Sequence, residues 1–331
     1  MITLEPSIMP NAAQIAQIER KYGMFIHFGI NTFNDTEWSD GTLPLSSYNP
    51  TEIDADGWVK NAKDAGMEYV ILITKHHDGF CLFDTRYTDY CVNNTSNPTD
   101  VVAEVAKSCE KYGLKLGLYY SLWDRNAGFY KKHSQYVEYM CNQLTELLGG
   151  KYGEVVEVWF DGGWDKNNRK NWDIPKIYDL VHTLQPNCVM SVNTTIGKDT
   201  LKGWNSPKYE PEKYEENMPI RYFPSDFRLW DPHFTGKDDP KIYMYNKKQY
   251  YLPFEATICI RNMTNWFWDP KYTDEKLVDT KFIVDKYNHL INQKNLLVVN
   301  VAPNIYGKQE QTDIDRLLDV AKELKIGKFA L

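Results

Sequence analysis

Short, nearly unbroken apolar runs alternate with amphipathic stretches along most of this chain, and that alternation is the tightest limit on its fold. The runs lie at 24–29 (MFIHFG), 69–75 (YVILITK), 114–121 (LKLGLYYS), 155–160 (VVEVWF) and 188–193 (CVMSVN). Each is too short for a typical helix. Continuous apolar character, rather than alternation, is what a strand buried on both faces of a parallel sheet requires. Helical spacing fills the intervals. Residues 54–67 carry Trp58, Ala62 and Ala65 on one face. Residues 100–113 open on Asp100 as an N-cap and stop on Gly113. Helices are also expected over 134–150 and over 174–186, the latter closed by Pro186. Five such steps exclude a sandwich and predict a parallel sheet with outer helices. The length and the repetition favour a (β/α)8-like TIM barrel over an open sheet, and no glycine-rich phosphate loop follows the first strand. The second half is expected to be irregular. Residues 194–251, rich in Pro, Lys, Asp and Tyr, read as long loops around one or two short strands. Order returns with a strand over 254–260, a helix around 274–292, a last strand over 295–301 and a helix over 312–324. No linker composition interrupts the chain, so a single barrel domain over 1–331 is expected.

The formal net charge of −7 makes a nucleic-acid partner unfavourable, and no basic run tracks a phosphate backbone. Aromatic residues reach 14%, with 10 Trp and 23 Tyr, which suits either a large aromatic core or a surface that handles carbohydrate. The six cysteines, Cys81, Cys91, Cys109, Cys141, Cys188 and Cys259, lack paired metal-ligand spacing and read as buried free thiols. No run approaches the roughly 20 apolar residues that span a bilayer, so no membrane association is expected. The first residues lack the basic-then-apolar pattern of a leader. The expected location is cytoplasmic, or secreted or periplasmic if a leader has been removed.

In a barrel the C-terminal ends of the strands converge on one face. The polar residues at those ends are His27, His76, His77, Tyr119, Trp159 and Asp161, then Asn193, Glu255 and Asn300. A lone histidine is most often a hydrogen-bonded core residue, but several polar groups at successive strand ends would be costly if unsatisfied. Two chemistries fit. One is a metal site of His and carboxylate ligands. Against it, His76 and His77 are adjacent, and adjacent residues on a strand point to opposite faces. The other is sugar chemistry, in which imidazoles bind hydroxyls, aromatic faces cover the ring and two carboxyl groups flank the glycosidic bond.

The motifs GMFIHFG, TEW, KHHDGF, LGLYYS, VWFDGG and NLLVVNVAPN, in this order, resemble glycoside hydrolase family 29, the retaining α-L-fucosidases. The resemblance runs from about Lys21 to Leu324. The stretch from Tyr48 to Phe83 looks most like the branch that acts on α-1,3/1,4-linked fucose. Many members carry a C-terminal β-sandwich domain, which is not expected within these 331 residues. The resemblance implies a retaining exo-α-L-fucosidase acting on fucosylated oligosaccharides or glycoconjugates, without a metal or an organic cofactor.

It also implies residue roles. Asp161 matches the family's nucleophile, with Gly162 and Gly163 behind it to let a sugar ring approach, and with imidazoles or other donors to keep it ionised. His27, Glu37, Trp38, His76, His77, Tyr119 and Trp159 match the pocket that holds fucose; Trp159 could equally pack the barrel. For the acid/base, PIRYFPSDFRLWDP stands where the family has its motif, which puts Asp226 in place of the usual Glu, and Glu255 is the alternative. Glu210, Glu212, Glu215 and Glu216 read as a solvated acidic face. Two other functions remain open: a fucose-binding homologue with weak or no hydrolysis, or a metal-dependent sugar hydrolase or isomerase.

Overall fold

The run at 69–75 shows how the sheet is built. Every residue of YVILITK is buried, because strands pair on both sides of it and helices cover the outer face. A computed structural model describes residues 2–163, 172–197, 214–262, 265–271 and 277–330. In chain order the elements are α1 (Ala12–Arg20), β1 (Tyr22–Ile26), α2 (Ala55–Asp64), β2 (Tyr69–Lys75), α3 (Val101–Tyr112), β3 (Lys115–Ser121), α4 (His133–Leu148), β4 (Val155–Asp161), α5 (Ile174–Leu184) and β5 (Val189–Val192). They continue with β6 (Arg228–Leu229), β7 (Ile242–Tyr245), β8 (Lys248–Tyr251), β9 (Phe254–Cys259), α6 (Thr280–Asn292), β10 (Leu296–Asn300) and α7 (Gln311–Leu324).

Eight strands form one parallel sheet in the order β5-β4-β3-β2-β1-β10-β9-β6. Its two ends are drawn together by backbone bonds from Asp226 to Met190 (2.8 Å) and from Thr195 to Leu229 (3.1 Å), so the sheet is a nearly closed barrel. Helix α3 illustrates the local logic. Asp100 accepts the Ala103 N–H at 3.0 Å, and Gly113 takes the left-handed φ of 69° that ends the helix.

The second half departs from the repeat. Strand β6 is only two residues long, and a hairpin, not a helix, stands between β6 and β9. Its strands β7 and β8 pair antiparallel around Asn246 and Lys247, both at positive φ (47° and 63°). That is the two-residue turn whose twist matches the flanking strands. The chain's early residues join it: Ser7 N–H donates to Gln249 O at 3.1 Å and Tyr251 N–H donates to Ser7 O at 2.7 Å. Helix α1 closes the N-terminal end of the barrel, where Gln14 Nε2 donates to the carbonyls of Asp226 (2.6 Å) and Tyr251 (2.7 Å). All six cysteines are free thiols, and all but the half-buried Cys141 are buried. Among the described residues no helix is long and apolar enough to cross a membrane.

Candidate active site

The C-terminal ends of β1, β2, β3, β4 and β10 bring one carboxylate, three imidazoles and a set of aromatic rings together. Strand register fixes the first contacts. Ser121 stands beside Asp161, and Tyr119 beside Trp159. The Tyr119 hydroxyl donates to Asp161 Oδ2 at 2.9 Å, and Asn193 Nδ2, just past β5, donates to Oδ1 at 3.2 Å. Burial opposes these donors and wins, pushing Asp161 up to about 6. The carboxylate is thus largely ionised at neutral pH, but its pKa is not low as expected from the sequence.

The imidazoles do not supply the missing stabilisation. His77 Nε2 lies 3.6 Å from Asp161 Oδ2, but burial pushes His77 down to about 3, so the ring is neutral. His27 is likewise held down to about 3 by burial, and His76 is held well below its usual value. Nor do His76 and His77 diverge. Strand β2 ends at Lys75, so the alternation of strand side chains no longer applies, and the two rings lie side by side with centroids 4.2 Å apart. Among the described residues no group of three or more His, Cys, Asp or Glu side chains is arranged to hold a metal ion.

Aromatic rings line the rest. His76 lies nearly parallel to Tyr119 at 5.7 Å. Trp38, 41% exposed, stands edge-on to His77 at 5.4 Å and to Trp123 at 5.9 Å, which makes it a rim residue. Trp266 packs on His27 at 4.9 Å. Glu37 reaches across to the β9 side, where Oε2 accepts the Trp266 N–H (3.2 Å) and Oε1 the Phe267 N–H (3.1 Å). Burial outweighs those two donors and pushes Glu37 up to about 7. Trp159 is buried inside the barrel, stacked on Tyr119 at 5.6 Å and against Phe25 at 5.6 Å.

The family model described as alpha-L-fucosidase matches residues 42–328. The chain belongs to the alpha-L-fucosidase family. It is 34% identical to alpha-L-fucosidase 1 of Arabidopsis thaliana, over 97% of this chain and 61% of that protein. It shares 27% identity with alpha-L-fucosidase isoenzyme 1 of Paenibacillus thiaminolyticus, at a TM-score of 0.71 over 96% of this chain and 78% of that one. A glycoside hydrolase 29 family member from an unknown rumen bacterium gives 27% identity and a TM-score of 0.73, over 97% of this chain and 58% of that one. The chain thus spans about three fifths of the Arabidopsis relative's length. The nearly closed parallel barrel is the fold expected of this family.

Two residues expected in the fucosidase machinery lie elsewhere. Asp226 precedes β6 by two positions, so it sits at the N-terminal end of the barrel, opposite the mouth. Its carboxylate is consumed there: Oδ1 accepts from the Tyr178 hydroxyl (2.8 Å), and Oδ2 accepts from the Met190 N–H (2.8 Å) and lies 3.1 Å from His182 Nε2. Tyr178 and His182 belong to the outer helix α5. Glu255 is the second residue of β9, level with Leu296 at the start of β10, whereas the mouth begins at the far ends of both strands. About four residues of strand, roughly 13 Å, separate the two levels. Of the acidic run, Glu215 and Glu216 line an open groove on the barrel's flank with His233, Lys237 and Asp238; Glu210 and Glu212 lie outside the described residues.

The glycines behind Asp161 have a different use from the one expected. A Cβ on Gly162, which has a φ of 74°, would stand 2.7 Å from Trp123 Cβ, and one on Gly163 would stand 2.9 Å from the Tyr222 ring. They let protein side chains close in behind the carboxylate rather than clearing room for a sugar. Asn193, Ser121, Trp123, Asn300 and Trp266 also belong to the site, though no role was expected of them from the sequence. Asn193 and Asn300 stood among the polar strand ends, which was their one visible signal.

Proposed function

We propose that this chain is a retaining exo-α-L-fucosidase that removes terminal α-linked fucose from oligosaccharides or glycoconjugates. The observation that carries this is Asp161: a carboxylate at a strand end, ionised at neutral pH and gripped by Tyr119 and Asn193, under neutral imidazoles and beside exposed indole. In this reading Asp161 attacks the anomeric carbon as the glycosidic C–O bond breaks. A second carboxyl gives its proton to the leaving oxygen. The same group then takes a proton from water, which displaces Asp161. His27, His76, His77 and Glu37 bind ring hydroxyls, and Trp38, with the aromatic wall around Tyr119, covers the apolar side of the sugar and its methyl group.

The proton donor in this proposal is a carboxyl of the β5–β6 connection, which leaves β5 at the mouth. Glu210 and Glu212 are its candidates by position in the chain. Asp226 and Glu255 are set aside because both lie at the other end of the barrel, where Asp226 is held by Tyr178 and the Met190 N–H and Glu255 accepts from Tyr69. Preference for α-1,3/1,4-linked fucose belongs to the same proposal and rests on the stretch from Tyr48 to Phe83. So does confinement of the chemistry to one barrel within residues 1–331.

The deciding experiment is trapping with a 2-fluorinated fucosyl fluoride followed by peptide mass spectrometry. A fucosyl adduct on Asp161 supports the reading; an adduct on another residue, or none with an active protein, overturns it. Glu210→Gln and Glu212→Gln, assayed on an aryl fucoside with and without azide, locate the proton donor: azide restores turnover, as fucosyl azide, only for the true one. A fucose-binding protein without hydrolysis would retain sugar affinity yet leave even an activated aryl fucoside intact.

A further inference from the structure

Two histidines at the mouth are held by the same three-part arrangement. His77 Nδ1 lies 2.7 Å from Ser121 Oγ, which lies 2.7 Å from the carbonyl oxygen of Trp123. His27 Nδ1 lies 2.9 Å from Asn300 Oδ1, and Asn300 Nδ2 lies 2.8 Å from the carbonyl oxygen of Trp266. In each case the tryptophan that ends the relay also lays its indole against the imidazole, at 5.4 Å for Trp123 on His77 and 4.9 Å for Trp266 on His27.

Donor and acceptor capacity settles where the protons lie. A carbonyl oxygen can only accept, and serine has one hydroxyl proton. That proton goes to the Trp123 carbonyl; otherwise two lone-pair-bearing oxygens would face each other with no proton between them. Ser121 Oγ therefore accepts from His77, so Nδ1 carries the hydrogen. Asn300 must turn its amide NH2 toward the Trp266 carbonyl, which leaves Oδ1 facing His27 and puts that ring's hydrogen on Nδ1 as well. Both rings are neutral, since burial pushes each down to about 3. A neutral imidazole has one N–H, so Nε2 of each is an acceptor.

We propose that Ser121 and Asn300 are positioning residues that lock His77 and His27 as Nδ1–H tautomers, so that the mouth reads two sugar hydroxyls as hydrogen-bond donors. The identity of the sugar rests on the fucosidase reading above; the lock itself does not. At His77 the consequence is specific. Nε2 stands 3.6 Å from Asp161 Oδ2, two acceptors side by side, and a hydroxyl seated between them donates to one or the other. Asp161 attacks the anomeric carbon, so the hydroxyl nearest to it is the one on the adjoining carbon, position 2, whose hydrogen bonds strengthen in the transition state. Were His77 the other tautomer, its Nε2–H would point at the nucleophile and occupy its lone pair.

The test begins with the whole protein, labelled with 15N-histidine, in long-range proton–nitrogen spectra at neutral pH. Peaks are assigned by their loss in His27→Gln and His77→Gln. Both residues are expected to show a protonated Nδ1 and a bare Nε2; a protonated Nε2 on either overturns its lock. Ser121→Ala is expected to shift His77 toward the Nε2–H form. It should also lower kcat on an aryl α-L-fucoside by about 10- to 100-fold, with a smaller change in KM, the range typical for loss of a partner that orients a histidine. Ser121→Thr, which keeps the hydroxyl, should restore both the spectrum and the rate. A slow Ser121→Ala protein with an unchanged His77 spectrum would reduce Ser121 to packing and sink the proposal. An aryl 2-deoxyfucoside checks the hydroxyl: wild type should discriminate against it more strongly than Ser121→Ala does, and equal discrimination would break the pairing. The spectra need no turnover, so a protein inert to fucosides but locked as described would overturn the fucosidase reading alone.

Discussion

Both ends of the barrel carry buried carboxyl groups, yet they treat them in opposite ways. At the closed end, Glu157 of β4 and Glu255 of β9 meet under α1. Glu157 accepts from Gln17 (3.2 Å) and pairs with Arg20 (3.3 Å), while Glu255 accepts from the Tyr69 hydroxyl (2.7 Å). Burial, and then the charge of Glu157, holds Glu255 well above the usual carboxylate range. At the open end, Asp161 of the same β4 has neutral donors, and among the described residues no Arg or Lys side chain pairs with it. A counter-ion stabilises the fold but quenches a nucleophile. One strand thus serves both needs, with the ion pair near its start and the proposed nucleophile at its end.

Removing the two carboxyls of β4 one at a time breaks the comparison most sharply. Asp161→Asn should lower fucoside turnover by about four orders of magnitude, the scale seen when one member of a catalytic group is removed. Its thermal unfolding midpoint should stay near wild type; a large drop in stability would mean that Asp161 holds the fold rather than the chemistry. Glu157→Ala should do the reverse. It strips Arg20 of its buried partner, at a cost of about 3–5 kcal/mol in denaturant unfolding, while the rate per folded molecule changes little.

Next in size is the acid limb of the pH profile. Because Asp161 is raised to about 6, its ionised fraction, and with it kcat/KM, should fall tenfold per pH unit well below that value. A limb that stayed flat down to about pH 4 would remove Asp161 from the rate. Asp226→Asn should cost about 1–3 kcal/mol through its buried hydrogen bonds and leave turnover within about twofold; a rate collapse without unfolding would return it to the mechanism. The smallest effect is expected for Glu255→Gln. Glu255 binds its proton more tightly folded than unfolded, so its contribution is whole below about pH 4.3 and lost as pH rises toward the folded value. Glutamine cannot ionise, so the variant's stability should fall less steeply with rising pH, as followed by unfolding at several pH values.

The parallel strands from Tyr22 to Val192 were legible because burial on both faces leaves an unbroken apolar run, and capping residues such as Asp100 and Gly113 marked the helices between them. The second half was not. Two residues of β6 are too few to show a pattern, and the hairpin turns on Asn246-Lys247, which lacks the glycine that usually announces such a turn. Within the site, the ends of strands were readable, so Asp161, Tyr119 and the histidines came together. The starts of strands misled. Asp226 and Glu255 sit beside the right strands but at their beginnings, and a parallel barrel sends beginnings and ends to opposite faces. His76 and His77 were expected to diverge because strand alternation was carried past Lys75, where the strand ends. The relays through Ser121 and Asn300 left no trace in sequence, since they depend on two carbonyl oxygens that no residue letter encodes.

The pairing of Ser7 with the β7–β8 hairpin has a consequence for how the molecule is made. Residues around position 7 leave the ribosome roughly 240 residues ahead of Tyr250, a wait of about 10–50 s at ordinary translation speeds. That edge of the hairpin stays uncovered until the leading segment returns to it, so a bulky fusion partner placed just ahead of Ser7 should slow maturation of the newborn polypeptide more than the same partner appended after Phe329.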